Sequence, residues 1–288
     1  PNSMAKQFTW GEALDYTLRT RDAWRNGSSR KTNIINAGHF TEAHGRSFPC
    51  SKINSSCITQ YAVDLEEQGM SNATINRCIS AISTVLNHCA ADDLCQSPPT
   101  FKRRKESEGR ILFYTKEEVN QLCHASIEIF NRMDLAEIIQ AAAYTGMRQG
   151  ELLKLKVRDV DLSLNTIHVG GLPDVKTKAG NYRSVPIHER ITSSLQDRLE
   201  EVSPNVRVFD DWNSKDQLLR AFTKVRRYIG LSEGYCFHCL RHSFGTWHAE
   251  AGTPMRTLMG LMGHKRIETT LRYAKITNKA SIEAMAAI

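Results

Sequence analysis

Along the first hundred residues, apolar positions recur at three- and four-residue steps, the period of an amphipathic helix rather than a strand. From Cys57 to Gln68 the stripe is Ile58, Tyr61, Ala62 and Leu65, and Gly69 ends it. From Ser71 to Ala90 the repeat is clearest, with Ile75, Ile79, Ile82, Val85, Leu86 and Cys89 on one face. Thr9-Trp-Gly-Glu12 has the spacing of a capping box and predicts a helix running to about Trp24. Residues 5–92 therefore predict a bundle of about four helices, each burying one face against the others.

The periodicity stops at Asp92. Between there and Arg110 come Ser97-Pro-Pro, the basic run Lys102-Arg103-Arg104-Lys105, and Glu106-Ser-Glu-Gly109. Proline, glycine and dense charge favour an extended linker over residues 93–112. Its basic run suits either a solvated hinge or a segment lying along phosphates, so Lys102, Arg103, Arg104 and Lys105 are candidate DNA-contacting residues.

A second domain is expected over 113–288. Thr115 is placed as an N-cap with acids in the first turn, and Asp134 to Tyr144 is an apolar helix stopped by Thr145-Gly146. A short helix is expected from about Gln149 to Leu155. Alternation then predicts two hairpins: Val157–Leu162 with Thr166–Val169, and Asp174 to Ile187 turning at Lys178-Ala-Gly-Asn181. Helices are predicted again over 189–202, 214–229, 238–251 and 254–262, and from Ile267 onward. Pro254 at a helix start and Gly263 just past an end fit that punctuation. The fold class is thus mainly α with a small β-sheet, an N-terminal helical bundle followed by a mixed α/β domain.

The charge balance sharpens this picture. Net charge is +7 with a sequence pI near 9.0, which permits an acidic partner such as nucleic acid. All of the excess lies after residue 100: the first hundred residues hold nine basic and nine acidic side chains. Their signs are nevertheless separated, with Arg19, Arg21, Arg25, Arg30 and Lys31 gathered around Asp22 and acids elsewhere at Asp64, Glu66, Glu67, Asp92 and Asp93. No run of about 18 apolar residues is present, so no membrane span is expected. Pro1-Asn-Ser-Met4 lacks the basic and apolar regions of an export signal and reads as a remnant ahead of a native Met4. The eight cysteines are accordingly expected as reduced thiols, several on apolar helix faces.

The chemistry-bearing residues converge on one late tyrosine. Arg148 sits in Thr145-Gly-Met-Arg-Gln-Gly-Glu-Leu152, with Glu151 one turn on to brace it. His238 and Arg241 are three apart at a predicted helix start, His264 follows Met262-Gly263, and Tyr273 ends Glu268-Thr-Thr-Leu-Arg-Tyr273. Phosphodiester cleavage by a side chain needs a nucleophile, cations for the non-bridging oxygens, and a proton for the departing oxygen. A phenol titrates near about 10, and neighbouring cations favour its phenolate. Arginine supplies paired donors that stay charged, and histidine donates or moves a proton near neutral pH.

In order and spacing these segments resemble the tyrosine recombinases of the phage integrase family. The resemblance covers about 145–275 in detail, and 1–110 only as a helical bundle plus linker. It implies a C-terminal catalytic domain of the tyrosine recombinase type and a core-type DNA-binding domain ahead of it. Arg148 matches the first catalytic arginine and Glu151 its supporting acid; His238-Cys-Leu-Arg241 matches the His-x-x-Arg box. Leu261-Met-Gly-His264 matches the box carrying the next histidine, and Tyr273 the nucleophile. Thr177-Lys-Ala-Gly-Asn-Tyr-Arg-Ser-Val-Pro186 resembles the segment with the catalytic lysine, making Lys178 the general acid and Lys176 the runner-up. Cys239 departs from the family pattern, as does Ala274 after the tyrosine.

The resemblance implies transesterification through a 3′-phosphotyrosine with neither ATP nor metal, hence no cofactor. The implied partners are double-stranded DNA recombination sites and, in the synaptic complex, a homotetramer; the free protein is expected as a monomer or weak oligomer. Phage or mobile-element integration and excision in the cytoplasm of a bacterial host is the expected setting, with nucleoid association when bound. The tail from Ile276 to Ile288 is expected either to dock on a neighbouring protomer or to cap its own subunit. Type IB topoisomerase-like relaxation and dimer resolution are the alternatives, and a DNA-binding protein without cleavage a further one. A zinc site at Cys236, Cys239, His242 and His248 lacks a second ligand pair at matching spacing. A redox role for Cys236-Phe-His-Cys239 lacks the usual βα turn.

Overall fold

The computed structural model describes residues 7–107, 109–170, 182–275 and 285–286. The chain divides into two units, Pro1–Gly109 and Arg110–Ile288.

In the first unit, Thr9 caps α1 (Trp10–Thr20), and the capping box closes in both directions: the Glu12 N–H donates to Thr9 Oγ1 at 3.3 Å, and the Thr9 N–H to Glu12 Oε2 at 2.9 Å. The helix breaks at Arg21, so the single helix expected through Trp24 is two, with α2 spanning Asp22–Arg25. The expected stripes become α4 (Ser55–Glu67) and α5 (Asn72–Ala90), with the predicted apolar residues buried. Ahead of both in the chain lies α3 (Arg30–His44), which the hydrophobic pattern does not announce. Only Ala37 and Phe40 on it are buried, and Phe40 holds it in place, edge-on to Trp10 at 5.0 Å and Tyr61 at 5.1 Å.

The basic run is tied to the bundle. Asn76 on α5 both accepts from the Arg104 N–H and donates to the Arg104 carbonyl, while Asn72 donates to that of Lys105. The Arg104 guanidinium pairs with Glu66 at 2.7 Å, and Arg103 donates to Ser80 Oγ at 3.1 Å. Residues 103–106 thus form an irregular strap hydrogen-bonded to α5.

In the second unit Thr115 closes another capping box and starts α6 (Lys116–Glu128). It packs on α7 (Met133–Thr145), whose apolar face supplies much of the core with Leu135, Ile138 and Ile139. Then come the short α8 (Gln149–Leu152), β1 (Val160–Asp161), β2 (Thr166–Val169) and β3 (Arg183–Pro186), in an antiparallel sheet of order β1-β2-β3. The first strand is shorter than the alternation predicts. Val157–Asp159 makes a 3-10 turn, with the Asp159 carboxylate accepting from the Lys156 N–H at 3.0 Å. β3 pairs with β2, Val169 opposite Arg183; the outgoing arm of the expected second hairpin lies outside the described residues. Four helices follow: α9 (Glu189–Leu199), α10 (Lys215–Tyr228) and α11 (Cys239–Glu250), which contribute to the apolar core, and α12 (Met255–Met262). After them comes α13 (Ile267–Ala274). A smaller cluster of Phe244, Ala249, Leu258, Met262 and Tyr273 joins α11, α12 and α13. No described helix is long and apolar enough to cross a membrane.

Candidate active site

Two helix ends create the cationic part of the site. α7 ends at Gly146, in the left-handed region at φ 62°, where an added Cβ would lie 2.5 Å from the Phe244 ring. The left-handed backbone favours glycine, and the contact with Phe244 leaves no room for a side chain. The turn releases the Gly146 carbonyl and sets Arg148 as the residue capping α8. α12 ends similarly at Gly263, freeing the carbonyls of Leu261, Met262 and Gly263.

Arginines take these carbonyls. Arg241, on the first turn of α11 and 3% exposed, donates to those of Gly146 and Met262. Arg148 donates to Gly263 at 3.3 Å, and Arg183 Nε to Leu261 at 2.7 Å. Glu151 lies between two of them. Its carboxylate accepts both Arg183 terminal nitrogens, at 3.1 and 2.8 Å, Arg148 Nη1 at 2.9 Å, and the Arg148 N–H at 2.8 Å. Burial alone would raise its pKa, but the Arg183 fork and the Arg148 donors outweigh that and hold it at about 2. Arg241 moves the other way. Burial first, then the charges of Arg148 and Arg183, lower it to about 10, so it stays a cation at neutral pH.

The tyrosine approaches from α13. Its ring lies against Gly245 on α11, where a Cβ would sit 2.6 Å from the Tyr273 Cζ, so α13 packs this closely only because residue 245 has no side chain. Tyr273 is 3% exposed, and its hydroxyl lies 2.9 Å from His242 Nδ1. Burial raises the phenol pKa; Arg241, Arg272 and Arg148 pull it down without cancelling that effect. The His264 ring lies parallel to Tyr273, 6° between planes at 6.3 Å, and its Nδ1 is 2.9 Å from Thr270 Oγ1. His238 stands edge to face with His242 at 4.9 Å. Burial, then neighbouring cations, lower His264 to about 4; burial, then His238 and Arg272, do the same to His242. For His238 the causes are burial, then Arg241 and Arg148. An anion in this pocket would reverse that cost, because it favours the imidazolium.

The fold thus brings Arg148, Glu151, His238, Arg241, His264 and Tyr273 to one corner of the second unit. Lys178 and Lys176 lie outside the described residues. In the first unit Lys102, Arg103 and Lys105 are exposed, and Arg104 is paired with Glu66. The sequence reading missed two residues of the corner. Arg183 could have been found from strand alternation, which puts it on the inward face with Val185. His242 lies four residues after His238, on the same helix face, and was weighed only as a zinc ligand. Among the described residues no group of three or more His, Cys, Asp or Glu side chains is suited to a metal ion.

Residues 113–280 match the phage integrase family, and the chain belongs to it. The tyrosine recombinase XerD of Oceanobacillus iheyensis is 25% identical over 272 residues, covering 90% of this chain and 89% of its own. The tyrosine recombinase XerA of Thermococcus kodakarensis is 30% identical over 234 residues, 78% of each chain. The fold is also that of the Tn1549 transposon integrase solved with transposon right end DNA, at a TM-score of 0.72 and 18% identity, covering 97% of this chain and 100% of that one. A lambda integrase tetramer bound to a Holliday junction gives 0.69 at 20% identity, over 93% and 77%. The protein is therefore a tyrosine recombinase, an enzyme that breaks and rejoins DNA in site-specific recombination.

Proposed function

We propose that Tyr273 is the nucleophile, attacking a scissile phosphate held by Arg148 and Arg241 to form a 3′-phosphotyrosine and release a 5′-hydroxyl. The observation that carries this reading is the tyrosine hydroxyl on α13, 2.9 Å from His242 on the same helix as the buried Arg241. The phosphate oxygens would lie against the guanidinium faces not engaged by backbone carbonyls, where charge develops in the transition state. His238 and His264, neutral in the free protein, would donate hydrogen bonds to the phosphate. His242 would orient the phenol, and Glu151 with Arg183 would hold Arg148. Lys178, or failing it Lys176, would protonate the leaving oxygen. A 5′-hydroxyl from a second duplex then reverses the step. The ester bond is conserved throughout, so neither ATP nor a metal ion enters the balance.

The first unit would grip the duplex as a core-type DNA-binding domain, with Lys102, Arg103 and Lys105 facing the backbone. Arg104 would join them only by releasing Glu66. The relatives and structural neighbours include phage and transposon integrases, which supports integration and excision of mobile DNA. Assembly would be a homotetramer on paired sites and a monomer or weak oligomer when free, in the bacterial cytoplasm and at the nucleoid when bound.

On a nicked suicide duplex, wild type should accumulate a covalent protein–DNA band that persists in excess EDTA. Tyr273→Phe should bind the duplex equally and give no band. A surviving band would move the nucleophile elsewhere, and a band lost to EDTA would require a metal.

A further inference from the structure

The turn and first helical residues carrying His238 and Arg241 also carry two thiols. Cys236 is exposed and Cys239 buried, and their sulfurs are 3.6 Å apart. The Cys239 N–H donates to the Cys236 carbonyl at 2.9 Å, closing a four-residue turn. Such a turn keeps its end Cα atoms within about 7 Å, close to the range a disulfide spans. To bond, the sulfurs need approach by only about 1.5 Å, which rotation of the exposed Cys236 side chain can supply. The pair opens α11, a twelve-residue helix whose N-terminal N–H groups favour a thiolate. Cys236 is correspondingly lowered to about 5, first by the hydrogen bond from the Cys239 thiol and then by backbone donors that outweigh burial. Cys239 moves upward and remains the thiol.

We propose that Cys236 and Cys239 form an oxidisable dithiol whose disulfide closes around His238 and switches off DNA cleavage. This rests on the reading of His238 and Arg241 as phosphate-binding residues. The oxidant is a hydroperoxide. The Cys236 thiolate attacks its distal oxygen; the O–O bond breaks, and with one proton taken up the products are a Cys236 sulfenic acid and an alcohol, or water from hydrogen peroxide. Cys239 sulfur then attacks the sulfenic sulfur. The S–S bond forms, the S–O bond breaks, and hydroxide leaves with the Cys239 proton as water. The cycle moves two electrons from the thiols to the peroxide, and a dithiol reductant restores them. The disulfide ring contains Phe237 and His238, and Cys239 must leave its contact with the Gly234 carbonyl, 3.6 Å in the reduced form. The backbone presenting His238 therefore shifts on oxidation. A displacement near 1 Å suffices for a loss on the order of 100-fold in the chemical step.

The test treats reduced full-length protein with hydrogen peroxide, then reads peptide masses and covalent adduct on the nicked duplex. The peptide holding both cysteines should lose two hydrogen masses. Adduct formation should fall on the order of 100-fold, while binding to the duplex persists and dithiothreitol restores cleavage. Cys236→Ser and Cys239→Ala, neither of them a phosphate-binding residue, should cleave before and after peroxide alike. Two free thiols after treatment, a disulfide without loss of cleavage, or equal inhibition of wild type and Cys236→Ser would each overturn the proposal. A reduced wild type that forms no adduct counts against the proposed function instead, and the mass shift still decides the pairing.

Discussion

The two halves of the proposed catalytic corner are held by different forces. The arginine half is a closed polar lattice: Arg148, Arg183 and Arg241 are tied to one carboxylate and to four carbonyls released where α7 and α12 end. The tyrosine half rests on apolar packing. On α13 only Thr270 and Tyr273 are buried, and Tyr273 shares its cluster with Phe244, Ala249, Leu258 and Met262. The difference teaches where precision is stored. Donors that must match charge as it develops are fixed in advance, so little reorganisation is left for the reaction. Tyr273, the proposed nucleophile, sits in a seat whose polar component is the His242 contact, and in that reading it leaves the seat for a phosphate at modest cost.

Arg241→Ala should have the largest effect, because it breaks the lattice at its most buried cation and leaves two buried carbonyls unpaired. A loss of about 3 kcal/mol in denaturant unfolding is expected, with cleavage down on the order of 1000-fold. Unchanged stability would mean water or another donor already serves those carbonyls. Glu151→Gln should come next. It keeps the shape but removes the charge between two arginines, costing about 2 kcal/mol. Its cleavage should fall less than that of Arg241→Ala, since Arg148 loses its brace rather than itself.

The smallest effect is on pH dependence, and it separates the two halves. Glu151 is depressed to about 2, so the stability it contributes is present above its ordinary value of about 4.5 and is lost as pH falls towards 2. His242 and His264 are depressed to about 4. The unfolded chain therefore takes up their protons first, and stability is lost as pH falls from about 6.5 through 4. The melting temperature should decline in two stages on acidification. Replacing both histidines by glutamine should remove most of the earlier stage and leave the later one; an unchanged profile would mean the rings are not buried as neutral bases.

Much of this arrangement was legible in the sequence where partners are near in the chain. The Thr9 and Thr115 capping boxes, the α5 stripe and the Arg148–Glu151 pair all lie within a turn or two, and local spacing announces them. The segments proposed to carry catalysis are similarly self-contained. Arg183 was harder to see, because its burial depends on a carboxylate 32 residues away and on a carbonyl 78 residues away. An arginine next to Tyr182 in a short strand otherwise reads as surface. α3 escaped because a single ring, Phe40, anchors a largely polar helix. Cys236 and Cys239 were visible as a motif, but the sulfur separation that gives them meaning belongs to the turn opening α11. That Arg104 in the basic run is engaged by Glu66 required the bundle surface.

In the proposed reaction the Tyr273 oxygen becomes esterified to a DNA 3′ end within the arginine lattice. The most direct test is to trap the covalent complex on a nicked duplex, digest protein and DNA, and sequence the nucleotide-bearing peptide by mass spectrometry. The account predicts a phosphonucleotide on Tyr273. The same modification on another residue, with Tyr273 unmodified, would contradict it.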